Sequence, residues 1–141
     1  MAVLESGVMY SGIPIVKVNY YNDQTTDSML TAGLLEAIQL FAIEIFDDET
    51  ETFKMKKYSI FLHNIILESK QKIILYSICD SLDRPRMIKK VMIEIGNKFK
   101  ENYHSVDYGC LSKYSIFEDI ITRNLGDLIY RPEDRLRKVF Q

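Results

Sequence analysis

Apolar and polar positions along this chain change period several times, and the changes mark out its elements. Residues 2–10 (AVLESGVMY) and 13–21 (IPIVKVNYY) predict two strands joined at Ser11-Gly12, since glycine accepts the positive φ of a tight hairpin turn. In the second run Val16, Val18 and Tyr20 share one face and Ile15, Lys17 and Asn19 the other. Pro14 lacks a backbone donor, so this strand belongs at a sheet edge. After a polar loop, residues 22–27, Thr26 or Asp27 can cap a helix running from Ser28 to Phe46. Leu30, Leu34, Ala37, Ile38, Phe41 and Ile45 recur at three- and four-residue steps and form the stripe expected to lie on the sheet. Leu35, Leu40 and Ile43 widen the apolar surface beyond what a sheet-packed helix needs, which predicts a second, partner-facing side. Gly33 costs about 1 kcal/mol relative to alanine inside a helix, so a close backbone approach is expected there.

Residues 47–52 are an acidic connector. FKMKKY, residues 53–58, sets Phe53, Met55 and Lys57 against Lys54, Lys56 and Tyr58, the alternation of a charge-guarded edge strand. SIFLHNIILE and KIILYSICD follow, joined at ESKQ, and their near-continuous apolar runs predict strands covered on both faces. A second helix opens with Asp83 as cap and Pro85 in the first turn, and carries Ile88, Val91, Met92, Ile95 and Phe99 on its buried stripe. Ser115 and Glu118 have the spacing of a capping box. The third helix behind them places Phe117, Ile120, Ile121, Leu125 and Leu128 on one side. The order β-β-α-β-β-β-α-α predicts an α+β domain with a five-stranded antiparallel sheet over residues 1–130. Residues 131–141 read as an extension, either a last helical turn or two or a frayed end.

Composition narrows the picture further. A chain of 141 residues suits one core, and 18 basic against 20 acidic side chains leave no global basic footprint for nucleic acid. Cys79 and Cys110 have no metal-type spacing, and residues 1–12 do not read as a secretory leader. Two buried free thiols in a cytoplasmic protein are therefore expected. No apolar run is expected to reach the ~20 residues of a membrane-spanning helix, which leaves peripheral contact with a membrane as the only kind open.

Candidate chemistry is sparse. His63 has the parity of Phe61, Ile65 and Leu67 and reads as a structural histidine, while His104 reads as solvated. Asp80 and Asp83 stand at a strand end, where turn formation and capping explain them. Asp47, Asp48, Glu49 and Glu51 lack the turn that shapes a calcium loop. There is no GxxxxGK[ST] and no GxGxxG. The expectation is a non-enzymatic chain with no catalytic, cofactor-binding or metal-binding residues. Between positions 84 and 101, Arg84, Arg86, Lys89, Lys90, Lys98 and Lys100 outnumber Glu94 and Glu101, a basic surface suited to an acidic protein or an anionic membrane.

GIPIVKVNYY, a polar loop, LTAGLLEAIQLFAIEIF and FKMKKYSIFLH, then IGNKFKENY and YSIFEDII, together resemble the longin-like (profilin-like) proteins of archaea that encode many small GTPases. The resemblance covers roughly residues 3–130. It extends to eukaryotic longin domains and, more distantly, to roadblock domains, which carry a helix before the first hairpin where this chain has none. It implies an interaction module that forms a homodimer, or a heterodimer with another longin or roadblock domain, and that binds or regulates a Ras-like small GTPase. The alternative is a longin-type subunit of a vesicle-trafficking-like assembly that docks a peptide or helix without a GTPase. The contacts expected on this reading are Tyr20, Tyr21, Leu35, Ile43, Lys54 and Lys56, in an interface of ~1,500 Å².

Overall fold

A computed structural model describes residues 2–20, 28–80 and 85–129. Five strands form one antiparallel sheet: β1 (Val3–Tyr10), β2 (Ile13–Asn19), β3 (Thr52–Lys54), β4 (Ser59–Ile66) and β5 (Lys72–Cys79), in the spatial order β2-β1-β5-β4-β3. The helices are α1 (Ser28–Phe46), α2 (Pro85–Asn102) and α3 (Phe117–Leu125), with 3-10 segments at Tyr108–Tyr114 and Gly126–Ile129. This is the α+β arrangement, a five-stranded antiparallel sheet with three helices, that the residue pattern implied.

The first hairpin turns at Ser11 (φ 51°) and Gly12 (φ 78°), both left-handed, which keeps the twist of the two strands compatible. Pro14 lies on β2, an edge strand, opposite Met9 and next to a register shift after Val8. The β4–β5 turn closes through Leu67 N–H to Gln71 C=O (3.0 Å) with Lys70 at φ 74°. β5 has a strand on each side in the sheet and helices over both faces, so its apolar run is continuous.

Helices on both sides make three layers. On one face Val8, Phe61, Ile65, Ile73 and Leu75 pack with Ile88, Met92, Ile95 and Phe99 of α2 and Phe117, Ile121 and Leu125 of α3. Phe99 and Phe117 meet edge to face with ring centroids 5.0 Å apart. On the other face a smaller cluster joins Met9, Ile60, Leu62, Ile74 and Tyr76 to Ala32 and Leu35 of α1.

Four expectations change. The strand predicted over 53–58 spans only Thr52–Lys54, because Met55 N–H donates to Tyr58 C=O (2.7 Å) and turns the lysine-rich segment out into solvent. Ser115 makes no capping box: it is already helical, and its hydroxyl donates back to Ser112 C=O (2.8 Å). Gly33 meets no neighbouring atom within 4 Å of where a Cβ would stand, so no close approach within the chain explains it. Lastly, Met29–Phe46, with Glu36 and Glu44 as its only charges, is by length and composition alone apolar enough to cross a membrane, contrary to expectation. In this fold it lies on the sheet instead. The predicted caps Thr26, Asp27 and Asp83, the loop residue Arg84 and residues 131–141 lie outside the described residues.

Candidate functional site

The residues of α1 that face the sheet are few and mostly small or polar. Ala32, Leu35 and Gln39 are buried. Gln39 donates through Nε2 to Thr50 C=O (2.8 Å) and accepts from Thr50 N–H at Oε1 (2.8 Å), tying the acidic connector under the helix. Asp47, at φ 52°, ends α1, and its N–H donates to Ile43 C=O (3.0 Å). Together these contacts fix the rotation of the helix about its own axis.

That rotation inverts the predicted facing. Most of the stripe expected on the sheet points away from it: Leu30 is 74% exposed, Phe41 65% and Ile45 67%, with Leu34 beside them. Ile38 of the same stripe packs against the sheet cluster. Met29 and Leu40 extend the band, and Phe46 is exposed at the helix end. Leu35, expected at a contact surface, is wholly buried instead. The physical reason is that α1 is apolar on nearly every side, so periodicity alone could not choose its inner face. Gln39 could, since a buried glutamine that brackets the N–H and C=O of Thr50 satisfies its own amide and both backbone groups at once. The exposed side chains form an apolar band of the kind that marks an interaction surface.

The remaining predicted contacts are dispersed. Tyr20 follows β2 and its hydroxyl is 2.8 Å from Thr122 Oγ1 of α3; burial raises its pKa, and the side chain serves as a tie between those elements. Ile43 is half-buried on the flank of α1. Lys54 and Lys56 are exposed at the end of β3, on the sheet edge opposite β2. Tyr21 lies outside the described residues. The structure therefore gathers Leu30, Leu34, Phe41 and Ile45 into one surface and separates most of the residues expected to share one.

A polar group that sequence reading missed sits inside the sheet. Glu5, 2% exposed, accepts from Tyr76 Oη (2.8 Å) and from Asn19 Nδ2 (3.3 Å), and Lys17 Nζ stands 3.7 Å away. A Cβ on Gly7 would come within 2.5 Å of Val16 O and 2.8 Å of the Tyr76 ring, so glycine makes room for the tyrosine. Burial, with Glu5 adding to it, raises the Tyr76 pKa far above its ordinary value, which keeps the phenol protonated and donating. The signal was available in the lone acid of an otherwise apolar and small strand.

His63 sits on β4 against Gly96 of α2, where a Cβ would stand 3.0 Å from its Cδ2. Burial lowers its pKa, with Glu49 and Glu51 opposing. His104 Nδ1 lies 3.2 Å from Glu68 Oε2, and both side chains are exposed. Asp80 accepts from Ala2 N–H (2.8 Å). Cys79 is buried and free, its thiol pushed up to about 12 by burial and by Asp80. Among the described residues, no three His, Cys, Asp or Glu side chains gather as metal ligands would.

No protein-family model matches the chain, and no curated protein matches it. Among solved structures it is similar to Myxococcus xanthus MglB, at 24% identity over 70% of this chain and 85% of that one, with a TM-score of 0.48.

Proposed function

We propose that this chain is a non-enzymatic interaction module that dimerises and binds or regulates a Ras-like small GTPase. The observation that carries the interaction role is the outer face of α1, where Leu30, Leu34, Phe41 and Ile45 are exposed together. Its charges point to a protein instead of an anionic membrane. α1 contains no Lys or Arg, holds Glu36 and Glu44, and runs into Asp47, Asp48, Glu49 and Glu51. An interfacial membrane helix needs the opposite sign. The GTPase partner follows from the longin-like residue pattern and the fold that goes with it.

The non-enzymatic reading draws on how the buried ionisable groups are engaged. Glu5 and Tyr76 hold each other, and Cys79 is kept as a thiol by burial. A free buried thiol also suits the reducing cytoplasm.

Sedimentation of the purified chain should show a dimer that Leu34→Glu converts to monomers. Binding assays with Ras-like GTPases loaded with GDP and with a GTP analogue should show one state preferred. A chain that stays monomeric and binds no such GTPase in either state sinks the proposal.

A further inference from the structure

β4 is longer than the strand that borders it. β3 pairs with it only from Ser59 to Phe61, and one further bond joins Leu62 N–H to Glu51 C=O (2.8 Å). β4 continues to Ile66. In an antiparallel strand the N–H and C=O groups alternate sides, so if Leu62 points outward, Asn64 and Ile66 do too. On the inner side His63 and Ile65 are the residues whose backbone groups meet β5, opposite Leu75 and Ile73. Among the described residues no backbone group takes up the outward pairs of Asn64 and Ile66. The sheet therefore ends in a short open edge.

The edge is furnished on both sides. Ile66, 60% exposed, stands at it, and Ile93 of α2, 49% exposed, flanks it. Beside Asn64 and Ile93 lies a half-enclosed cavity of about 140 Å³ with Glu49, Glu51, His63 and Lys89 among its walls. Gly96 lets α2 settle onto Ile65 and onto His63, one of the cavity walls. Lys89 Nζ lies 3.4 Å from Glu51 and Lys72 Nζ 3.7 Å from Glu49, in exposed pairs that exchange readily with solvent. Among the lining residues Glu49 and Glu51 outnumber Lys89, and Asp48 joins the two glutamates in an adjoining acidic hollow. Burial favours the neutral form of His63, so it adds little positive charge.

We propose that the outer edge of β4 from Asn64 to Ile66 takes up an extended peptide segment as an added strand, with one basic side chain of that segment seated in the cavity between Glu49, Glu51 and His63. Two outward backbone pairs fit an extended main chain and not a helix. The cavity is the size of a single long side chain, and its surplus of carboxylates selects a lysine or arginine. The inference rests on the reading of this chain as an interaction module, but uses a surface separate from the outer face of α1 and does not require a GTPase.

The test is fluorescence anisotropy of the intact chain with a labelled hexapeptide, Thr-Val-Arg-Val-Thr-Val. Binding should saturate and weaken at least tenfold when arginine is replaced by glutamate, or when the internal amides are N-methylated with every side chain kept. The double substitution Glu49→Lys with Glu51→Lys should reverse the preference toward the glutamate peptide. Phe41→Glu on α1 should leave the peptide affinity unchanged even if it abolishes dimerisation. Equal binding of the N-methylated peptide, no binding at millimolar concentration, or loss of binding in Phe41→Glu overturns the proposal. So does a dimer that Asn64→Pro turns into monomers, since the edge then belongs to a second copy.

Discussion

α1 and α2 have nearly the same length and lie on opposite faces of one sheet, yet they use their apolar residues in opposite ways. α2 spends its stripe inward: Ile88, Met92, Ile95 and Phe99 are buried, while Arg86, Lys89, Lys90, Glu94, Lys98 and Lys100 face water. α1 commits Ala32, Leu35 and Gln39 to the sheet and leaves its larger side chains outside. A helix that only stabilised the fold would gain from the reverse, because burying a Leu or Phe is worth roughly 1.5–3 kcal/mol. The difference is that α2 commits its large apolar residues to the core, whereas α1 keeps most of its own on the surface that the proposed partner would cover.

The largest effects should divide along that line. Phe99→Ala empties the centre of the α2–α3 cluster and should cost ~3–5 kcal/mol in chemical denaturation. Phe41→Ala on α1 should stay within about 0.5 kcal/mol for the monomer. Equal losses at the two sites would break the contrast. Next in size is association: Phe41→Glu should weaken dimerisation about 100-fold, near 2.7 kcal/mol, by analytical ultracentrifugation. Lys90→Glu on the outer face of α2 should leave it unchanged.

Two helical glycines sharpen the contrast at a smaller scale. Gly33→Ala should add about 1 kcal/mol to monomer stability, because its Cβ enters open space. Gly96→Ala gains the same helix preference but drives a methyl to 3.0 Å from His63 Cδ2 and 3.1 Å from Ile65 Cγ2, and should be destabilising. A Gly33→Ala chain that is more stable yet dimerises less would place a partner's backbone against that position.

The smallest effect is a pH dependence confined to the α2 side. The folded pKa of His63 lies below its ordinary 6.5, so the folded state resists protonation. Its contribution is fully present above pH 6.5 and is lost as pH falls through the lowered folded value. His63→Gln should flatten the stability profile over that acidic window in denaturation midpoints measured from pH 5 to 8.

How much of this was legible beforehand differs by element. β1, β2, β4, β5 and all three helices follow from apolar period and from turn residues such as Gly12 and Pro85. β3 was overextended because alternation of Lys and apolar residues looks the same in a strand and in the turn that follows it. Leu35 departs from its expected place at a contact surface for a related reason. Tyr20 and Leu35 are apolar enough for either an interface or a core, and only packing against Thr122 and the sheet assigned them to the molecule itself. Glu5 was passed over because its partners, Tyr76 and Asn19, are distant in sequence or in a neighbouring strand.

The chain's own residues determined which elements form and in what order, since period, turn chemistry and helix ends are local properties of neighbouring side chains. Tertiary structure alone decided which way α1 faces and where β4 is left uncovered. Both depend on the contact of Gln39 in α1 with Thr50 of the connector, which sets the helix rotation and brings the chain to β4 only from Glu51 onward. Its partners sit in different elements that no local pattern relates.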